Sequence, residues 1–251
     1  GEGKTDKVVA DRQRRGGKST GTRQTVKTQG KKWDTVKPTP PTIRVSTGSA
    51  KGRKLKSPDV YLRPMMGKVK EALFSFLREW DVLQEESTFC DTFAGCGSVG
   101  IEALSQGVGR AIFVDYSKEA CNVIGENLAL CGFDERALVI CSKAESFYTS
   151  PERALARIER PRVDVLSITP PYEEVVYSDL LTMVAEADAL LGDGSFVVVE
   201  YPVELGLLPP VIGGRMVGMK NRKYGRTMLA IYCIRPGVDL YPRPEEFGPP
   251  V

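Results

Sequence analysis

The chain has 251 residues, of which 41% are hydrophobic and 27% charged, enough for one sizeable domain with extensions or for two small domains. It contains no histidine, which excludes Ser-His-Asp and Cys-His nucleophile pairs, imidazole acid/base catalysis and HExxH metal helices. The six cysteines form no CxxC pair, so buried, reduced thiols are expected and no metal.

Charge is distributed unevenly, although the net charge is only +3. Residues 1–80 carry 20 basic and 7 acidic residues, a net charge of +13, whereas residues 81–251 carry 15 and 25, a net charge of −10. A basic N-terminal third on an acidic body is typical of a protein that binds nucleic acid. Composition alone leaves open a solvated basic region that only aids solubility. No apolar run reaches the roughly 20 residues of a membrane span, so no membrane partner is expected.

Residues 1–42 are rich in Gly, Ser, Thr, Lys, Arg and Gln and hold few apolar side chains. Such a stretch buries too little apolar surface to offset its conformational entropy, and a disordered basic tail is predicted. Its composition is also typical of an organellar transit peptide. The chloroplast stroma is therefore the expected location, with the bacterial cytoplasm as the alternative.

The segment 43–80 is predicted to be a basic hairpin followed by a helix. Residues 43–56 alternate over a short span and contain two glycine turns, which indicates the hairpin. Residues 65–80 repeat apolar side chains at helical spacing, with Lys68, Lys70 and Arg78 placed off the apolar face. The basic charge of this N-terminal extension suits contact with a nucleic acid.

From residue 88 onward, short apolar runs alternate with helical segments. Strands are predicted at 88–93, 111–115, 137–141, 163–168, 195–200, 215–220 and 227–234. Helices are predicted at 98–106, 118–130, 144–157 (broken near Pro151) and 176–191. The alternation predicts an α/β domain over residues 81–236, with a mostly parallel sheet covered on both faces. The last two strands are predicted to form an antiparallel hairpin with the loop 221–226, and residues 237–251 a C-terminal tail.

A glycine-rich loop joins the first strand of this domain to its first helix. Gly95, Gly97 and Gly100 fit the pattern GxGxxG, in which glycines permit a tight turn and close approach of a ligand to the backbone. Asp115 ends the next strand, 20 residues after Gly95, where a carboxylate can accept both hydroxyls of a ribose. The pattern predicts a cofactor that contains adenosine, and it fits nicotinamide and S-adenosylmethionine enzymes alike.

The fourth strand leads into Thr169, Pro170, Pro171 and Tyr172, at the sheet edge where α/β proteins bind ligands. Proline cannot donate a hydrogen bond, so the preceding carbonyl is exposed, and an aromatic ring can stack on a planar base. Acceptors around an exocyclic amine, together with a ring that positions the base, favour an amino-methyltransferase. A proline-stiffened loop with a packed tyrosine is the alternative.

The sequence from roughly residue 42 to residue 235 resembles the RsmD/YhhF/YlbH family of S-adenosylmethionine-dependent 16S ribosomal RNA guanine methyltransferases. The motifs that carry the resemblance are, in chain order, IRVSTGSAKGRKLK, LRPMMGKVKEALFSFL, DTFAGCGSVGIEALSQG, FVDYSKEACNVIGENL, TPPY, VVVEYP and KYGRTMLAIY. The resemblance implies a Rossmann-like class I methyltransferase fold with seven strands, the last of them antiparallel. It also implies methyl transfer to the 2-amino group of a guanine in small-subunit rRNA.

The resemblance also implies roles for individual residues. The cofactor S-adenosylmethionine would be held by Asp91, Phe93, Ala94, Gly95, Gly97, Gly100, Asp115, Tyr116, Lys143 and Ala144. The catalytic segment would be Thr169, Pro170, Pro171 and Tyr172. The RNA-binding residues would be Arg44, Arg53, Lys54, Arg63, Arg222, Lys223 and Arg226. The expected partner is small-subunit rRNA or an assembling small subunit, and the expected oligomeric state is a monomer.

One position departs from the family pattern, because its catalytic tetrapeptide normally starts with Asp and here starts with Thr169. A hydroxyl offers one neutral acceptor where a carboxylate offers two charged oxygens. Chemistry weaker than the family's is therefore expected, or chemistry that uses the carbonyls of Thr169 and Pro170. Two alternatives stay open: an RNA-binding or ribosome-assembly factor with little or no activity, and a DNA amino-methyltransferase.

Overall fold

The structure, a computed structural model, describes residues 42–58, 64–156, 158 and 162–249. The predicted tail 1–42, apart from its last residue, and the predicted RNA-binding residue Arg63 lie outside the described residues. The strands are β1 (Ile43–Arg44), β2 (Lys54–Leu55), β3 (Thr88–Thr92), β4 (Arg110–Asp115), β5 (Ala137–Cys141), β6 (Val163–Ile168), β7 (Leu191–Pro202), β8 (Val211–Ile212), β9 (Met216–Tyr224) and β10 (Thr227–Ile234). The helices are α1 (Gly67–Glu79), α2 (Ser98–Ser105), α3 (Lys118–Cys131), α4 (Ala144–Thr149), α5 (Pro151–Leu155) and α6 (Tyr177–Glu186).

The central sheet has the strand order β5-β4-β3-β6-β7-β10-β9-β8. Strands β3 to β7 are parallel, whereas β10 pairs antiparallel with both β7 and β9. The predicted α/β class with a mainly parallel sheet and an antiparallel last strand is confirmed. In the described part of the chain the sheet has eight strands rather than seven, because the two-residue strand β8 adds an edge partner to β9. The predicted hairpin over 43–56 is also present, as β1 paired antiparallel with β2.

Both faces of the sheet are covered, as a sheet made of continuous apolar strands requires. Helices α1, α2 and α3 contribute to the core on one face, and α4, α5 and α6 to the core on the other. Strand β7 shows the alternation: Phe196 and Val198 pack with α1, whereas Val197 and Val199 pack with α6. The same alternation continues beyond the ends of the strands, so it determines which face of the sheet each following side chain lies on.

Two predicted boundaries were wrong. The helix predicted to run to residue 191 ends at Glu186, because Leu191 already belongs to β7 and pairs with Val163. Buried Arg215 donates hydrogen bonds to the carbonyl oxygens of Ala185 and Leu191, at 3.3 Å and 2.6 Å, and so joins the end of α6 to the start of β7. The predicted loop 221–226 is mostly strand, since β9 continues to Tyr224 and the turn is reduced to two residues. Gly225 adopts a φ of 62°, as a two-residue hairpin turn requires.

The N-terminal hairpin and α1 are joined to α2 by a buried ion pair. Lys70 is 4% exposed and Glu102 is 1% exposed, and their Nζ and Oε2 atoms are 3.0 Å apart. Glu102 also accepts the backbone N–H groups of Ser46 and Thr47, both at 2.8 Å, and Lys70 donates to the carbonyl of Arg44 at 3.1 Å. The prediction that Lys70 lies off the buried face of its helix was therefore wrong.

A second buried side chain connects the hairpin to the glycine-rich loop. Asn127 on α3 is fully buried. Its amide donates to the carbonyls of Lys56 and Cys96, at 3.0 Å and 2.9 Å, and its Oδ1 accepts the N–H of Lys56 at 2.8 Å. One amide thus holds the end of the hairpin and the loop at the start of α2 together.

The segment predicted as a C-terminal tail packs, in its described part, against β9. Phe247 is buried, and a Cβ added at Gly218 would lie 2.5 Å from its ring. Glu246 accepts the N–H of Asn221 at 2.8 Å. All six cysteines are free thiols, but the expectation of burial holds fully for three, Cys90, Cys96 and Cys233; Cys121 and Cys131 are half-buried and Cys141 is exposed.

Glu102→Ala should destabilise the fold by about 3–5 kcal/mol, the range for breaking a buried ion pair and leaving its partner uncompensated. The substitution also leaves the N–H groups of Ser46 and Thr47 without their acceptor. Urea unfolding at pH 7 measures the free energy. The matched control is Glu126→Ala, which breaks the exposed pair with Lys56 and should cost at most about 1 kcal/mol. Equal costs for the two variants would contradict the importance given to the buried pair.

Candidate active site

The predicted site residues converge at the carboxyl ends of β3, β4 and β6, where parallel strands leave a crevice between their loops. The glycine-rich loop follows β3, Asp115 ends β4, and Thr169 follows β6. The Thr169 hydroxyl lies 3.5 Å from the carbonyl oxygens of Thr92 and Phe93. The glycine loop and the proline-rich segment are therefore in direct contact.

The glycine-rich loop is tightly wound. Phe93, Gly95 and Gly97 all have positive φ, of 57°, 58° and 78°; for Phe93, a bulky residue, this conformation is strained. A Cβ at Gly100 would lie 2.4 Å from the ring of Phe113, so only glycine lets α2 begin this close to β4. The loop therefore presents backbone rather than side chains to the crevice, as the sequence predicts.

Asp91 is a buried carboxylate beneath this loop. It is 1% exposed, and its Oδ2 accepts the N–H of Gly100 at 3.0 Å. Burial raises its pKa from 3.8 to about 7, the Gly100 N–H opposes the shift, and the charge of Asp115 adds to it. The hydroxyl of Ser167, its buried neighbour across β3 and β6, also opposes the shift in this pKa.

Asp115 braces the loop from the next strand. Its Oδ2 accepts the N–H of Gly95 at 2.8 Å, and its Oδ1 accepts the N–H of Ser117 at 2.9 Å. Each carboxylate oxygen has a second lone pair, so these bonds leave acceptor capacity for a ribose. Tyr116, predicted to bind cofactor, is 64% exposed beside it.

The remaining predicted cofactor residues lie one strand further out. The backbone N–H of Ser142 donates to the carbonyl of Asp115 at 2.9 Å, which places the start of α4 next to the end of β4. Lys143 is exposed and Ala144 is buried. Ala94, within the glycine-rich loop, is buried and donates its N–H to Val114.

The proline-rich segment lies across the crevice from Asp115. Pro170 is buried, Pro171 is exposed, and Tyr172 is half-buried. The hydroxyl of Tyr172 points into the protein, where it donates to Oε1 of Glu200 at 3.0 Å and lies 3.1 Å from Oγ1 of Thr227. Glu200 itself is buried to 5% exposure.

Two further polar residues of the site carry no motif signal. Thr92 is fully buried, and its Oγ1 donates to the carbonyl of Ser167 at 2.8 Å. The same oxygen lies 2.6 Å from the hydroxyl of Tyr148, and burial raises the pKa of that phenol. The pairing spans β3, β6 and α4, and only the strand order shows that these residues meet.

The predicted RNA-binding residues fall in two places. Arg44, Arg53 and Lys54 are exposed on the hairpin. Arg222 and Lys223 lie near the end of β9, and Arg226 lies in the turn that follows, which adjoins Thr227 and hence Tyr172. Both arginines also form ion pairs within the chain, Arg222 with Glu246 at 2.8 Å and Arg226 with Glu204 at 2.5 Å.

The crevice fits an adenosine-containing cofactor on observations of its own. The loop from Phe93 to Gly100 offers backbone at close range, Asp115 has spare acceptor capacity, and a second carboxylate, Asp91, is buried under the loop. Among the described residues there is no group of three or more Cys, Asp or Glu side chains arranged to hold a metal. No described helix is both long and apolar enough to cross a membrane.

Comparison with known proteins extends over most of the described chain. A family model described as "Conserved hypothetical protein 95" matches residues 43–233. YlbH of Bacillus subtilis is 35% identical over 76% of this chain and 98% of its own length. "Ribosomal RNA small subunit methyltransferase D" of Escherichia coli K12 is 31% identical over 76% and 89%.

Solved structures are also similar to this chain over most of its length. The structure of yhhF from Escherichia coli has a TM-score of 0.64 and 25% identity, over 78% of this chain and all of that one. A hypothetical protein of Thermus thermophilus has a TM-score of 0.63 and 28% identity, over 77% of this chain and all of that one.

Asp91 makes the stability of the fold depend on pH. Its folded pKa of about 7 lies above its ordinary value of 3.8, so between these values the unfolded chain releases a proton that the folded chain keeps. The free energy of unfolding should therefore fall by about 3 kcal/mol from this group as pH rises from 4 to 7. Asp91→Asn keeps an acceptor for Gly100 and should remove that dependence.

Urea unfolding of wild type and Asp91→Asn at pH 4.5, 6 and 8 measures the difference, with exposed Asp134→Asn as the control. The Asn variant should gain stability relative to wild type as pH rises. A difference that is the same at all three pH values would mean that the carboxyl group does not titrate in this range.

Proposed function

We propose that this chain, which belongs to the conserved hypothetical protein 95 family, transfers a methyl group from S-adenosylmethionine to the 2-amino group of a guanine in small-subunit rRNA. The observation that carries the proposal is the contact between the glycine-rich loop and the segment Thr169 to Tyr172, in a fold shared with yhhF. The name of the Escherichia coli relative supports rRNA of the small subunit as the substrate.

The cofactor would bind along the ends of β3, β4 and β5. The backbone of the loop from Phe93 to Gly100 would approach it closely, and Asp115 would accept its ribose hydroxyls. When bound, S-adenosylmethionine supplies an electrophilic methyl group on a positively charged sulfur. A positive charge near Asp91 would favour its carboxylate and lower its pKa.

Catalysis would then rest on positioning. The lone pair of an exocyclic amine is delocalised into the base, so the amine attacks only if its hydrogens are held by acceptors and the base is fixed. The Thr169 hydroxyl donates toward the carbonyls of Thr92 and Phe93, which leaves its lone pairs facing the crevice. Together with the carbonyls of Thr169 and Pro170 it would accept from the amine while Tyr172 holds the base.

The substrate side of the proposal rests on charge. The hairpin and the turn between β9 and β10 offer basic side chains at two points around the crevice, suited to the phosphates of a folded RNA. Location in the chloroplast stroma is also a proposal, supported only by the composition of residues 1–42; the bacterial cytoplasm is the alternative.

A second candidate function is favoured by Thr169. A neutral hydroxyl at the position where the resembled family has a carboxylate suits an RNA-binding or ribosome-assembly factor of low or no activity. The two candidates differ in one measurement, methyl transfer from labelled S-adenosylmethionine to small-subunit rRNA under single-turnover conditions.

Substitution of Thr169 tests how the amine is held. Thr169→Val keeps the shape of the side chain and removes its hydroxyl acceptor. The single-turnover rate should fall by about 10-fold, which corresponds to the free energy of one hydrogen bond. Thr169→Asp supplies a charged acceptor and should speed the reaction several-fold. Thr182→Val, on the exposed face of α6, is the control. A Val variant as fast as wild type would show that the hydroxyl does not hold the amine.

The hairpin should contribute to RNA affinity through phosphates alone. Removing Arg53 and Lys54 together should lower the slope of log affinity against log salt by about 1.4 to 1.8, since each phosphate contact contributes about 0.7 to 0.9. Filter binding of small-subunit rRNA between 50 and 300 mM salt measures the slope. The control is the pair Lys118→Ala and Arg153→Ala, exposed on α3 and α5. An unchanged slope for the hairpin variant would place the RNA elsewhere.

A further inference from the structure

Glu200, near the end of β7, anchors the whole segment between Tyr172 and α6. Its side-chain Oε1 accepts the hydroxyl of Tyr172 at 3.0 Å, and its backbone carbonyl accepts the hydroxyl of Tyr177 at 3.2 Å. These tyrosines stand at the two ends of the segment that joins the prolines to α6. A single residue therefore fixes both ends of the segment that carries the base-stacking ring.

The position of Glu200 in the sheet places its side chain on the same face as Thr169. Strands β6 and β7 are parallel with Ile168 opposite Val199, so the next residues along, Thr169 and Glu200, lie side by side. Paired residues of parallel strands point to the same face. Glu200 is thus adjacent to the position at which the carboxylate of the resembled family is replaced by a hydroxyl.

A glutamate at position 200 is informative because burial of a carboxylate costs free energy. At 5% exposure a carboxylate loses most of its hydration, and hydrogen bonds must compensate for that loss. An apolar side chain would cover the end of β7 at lower cost. What a carboxylate adds is a charged acceptor, whose hydrogen bonds are shorter and roughly twice as strong as those of a neutral one. Tyr172 donates one of these bonds.

We propose that Glu200 is a positioning residue: it holds the Tyr172 hydroxyl, and through it the orientation of the ring, so that a base is stacked with its amine at Thr169. The proposal rests on the proposed function. Glu200 acts through Tyr172 and touches neither cofactor nor base. A ring that is held less firmly would still allow binding but would present the base in a reactive geometry less often, so the loss falls on turnover.

The test is a double-mutant cycle that compares wild type, Glu200→Ala, Tyr172→Phe and the double variant. Glu200→Ala should lower kcat for rRNA methylation at least 10-fold and leave the Kd for S-adenosylmethionine within two-fold of wild type. Adding Tyr172→Phe to Glu200→Ala should cost less than Tyr172→Phe costs in wild type, because the bond to Glu200 is already absent and the contact of the hydroxyl with Thr227 remains to be lost. Glu200→Gln, whose amide oxygen still accepts the hydroxyl, should recover kcat to within about five-fold of wild type.

Two matched controls separate positioning from general damage. Glu186→Ala removes an exposed glutamate, and Tyr232→Phe removes a buried hydroxyl that donates to Pro209 at 2.8 Å on the same sheet; neither should change kcat. If Glu200→Ala does not fold, Tyr172→Phe breaks the same bond from its other end without altering β7. Full additivity of the two substitutions, or a Glu200→Ala variant with wild-type kcat, would overturn the proposal.

A second readout does not depend on activity. Hydrogen exchange of peptides covering residues 169–177 should be at least 10-fold faster in Glu200→Ala than in wild type, and unchanged in Glu186→Ala. Unchanged exchange in Glu200→Ala would overturn the anchoring itself. Wild-type protein that transfers no methyl group, yet shows the exchange difference, would instead overturn the proposed function and leave the anchoring standing.

Discussion

The ion pair between Lys70 and Glu102 is the interaction on which the N-terminal half of the molecule depends. Three elements that are distant in sequence, the hairpin, α1 and α2, meet at this pair, and four groups donate to the Glu102 carboxylate. Without Glu102, the Lys70 ammonium and two backbone N–H groups would be buried without a charged partner. The hairpin has only two paired residues in each strand, so its position depends less on its own ladder than on this carboxylate, the hydroxyl of Ser105 and the amide of Asn127.

The crevice is lined by side chains that continue the alternation of each strand between the two faces of the sheet. Asp91, Thr169, Glu200 and Thr227 all lie on the sheet face that α1 and α2 cover, because each is an even number of positions from an apolar residue that packs there. Beyond the last apolar layer the same face becomes polar, and its hydroxyls and carboxylates surround the glycine-rich loop. The site is therefore an extension of the core pattern rather than a separate construction.

Much of this was predictable from local patterns, and what was missed depended on distant partners. Period-two and helical spacing located the strands and most helices, and GxGxxG with Asp115 located the loop and its brace. Periodicity could not show that Lys70 would be buried, since its partner lies on another helix, nor that Arg215 would join the end of α6 to the start of β7. The burial of Glu200 and the inward direction of the Tyr172 hydroxyl follow from the order of β6, β7 and β10. The positive φ of Phe93 has no signal in a residue that normally avoids it.

The amide of Asn127 has a thermodynamic consequence. It hydrogen-bonds to the backbone of the hairpin at Lys56 and to that of the glycine-rich loop at Cys96, so motion of either chain segment strains bonds to the other. If a ligand on one segment changes the affinity for a ligand on the other through this amide, linkage requires the reverse effect to have the same size. If RNA binds at the hairpin and the cofactor at the glycine-rich loop, a single coupling free energy would describe how each ligand changes the affinity for the other, whichever binds first.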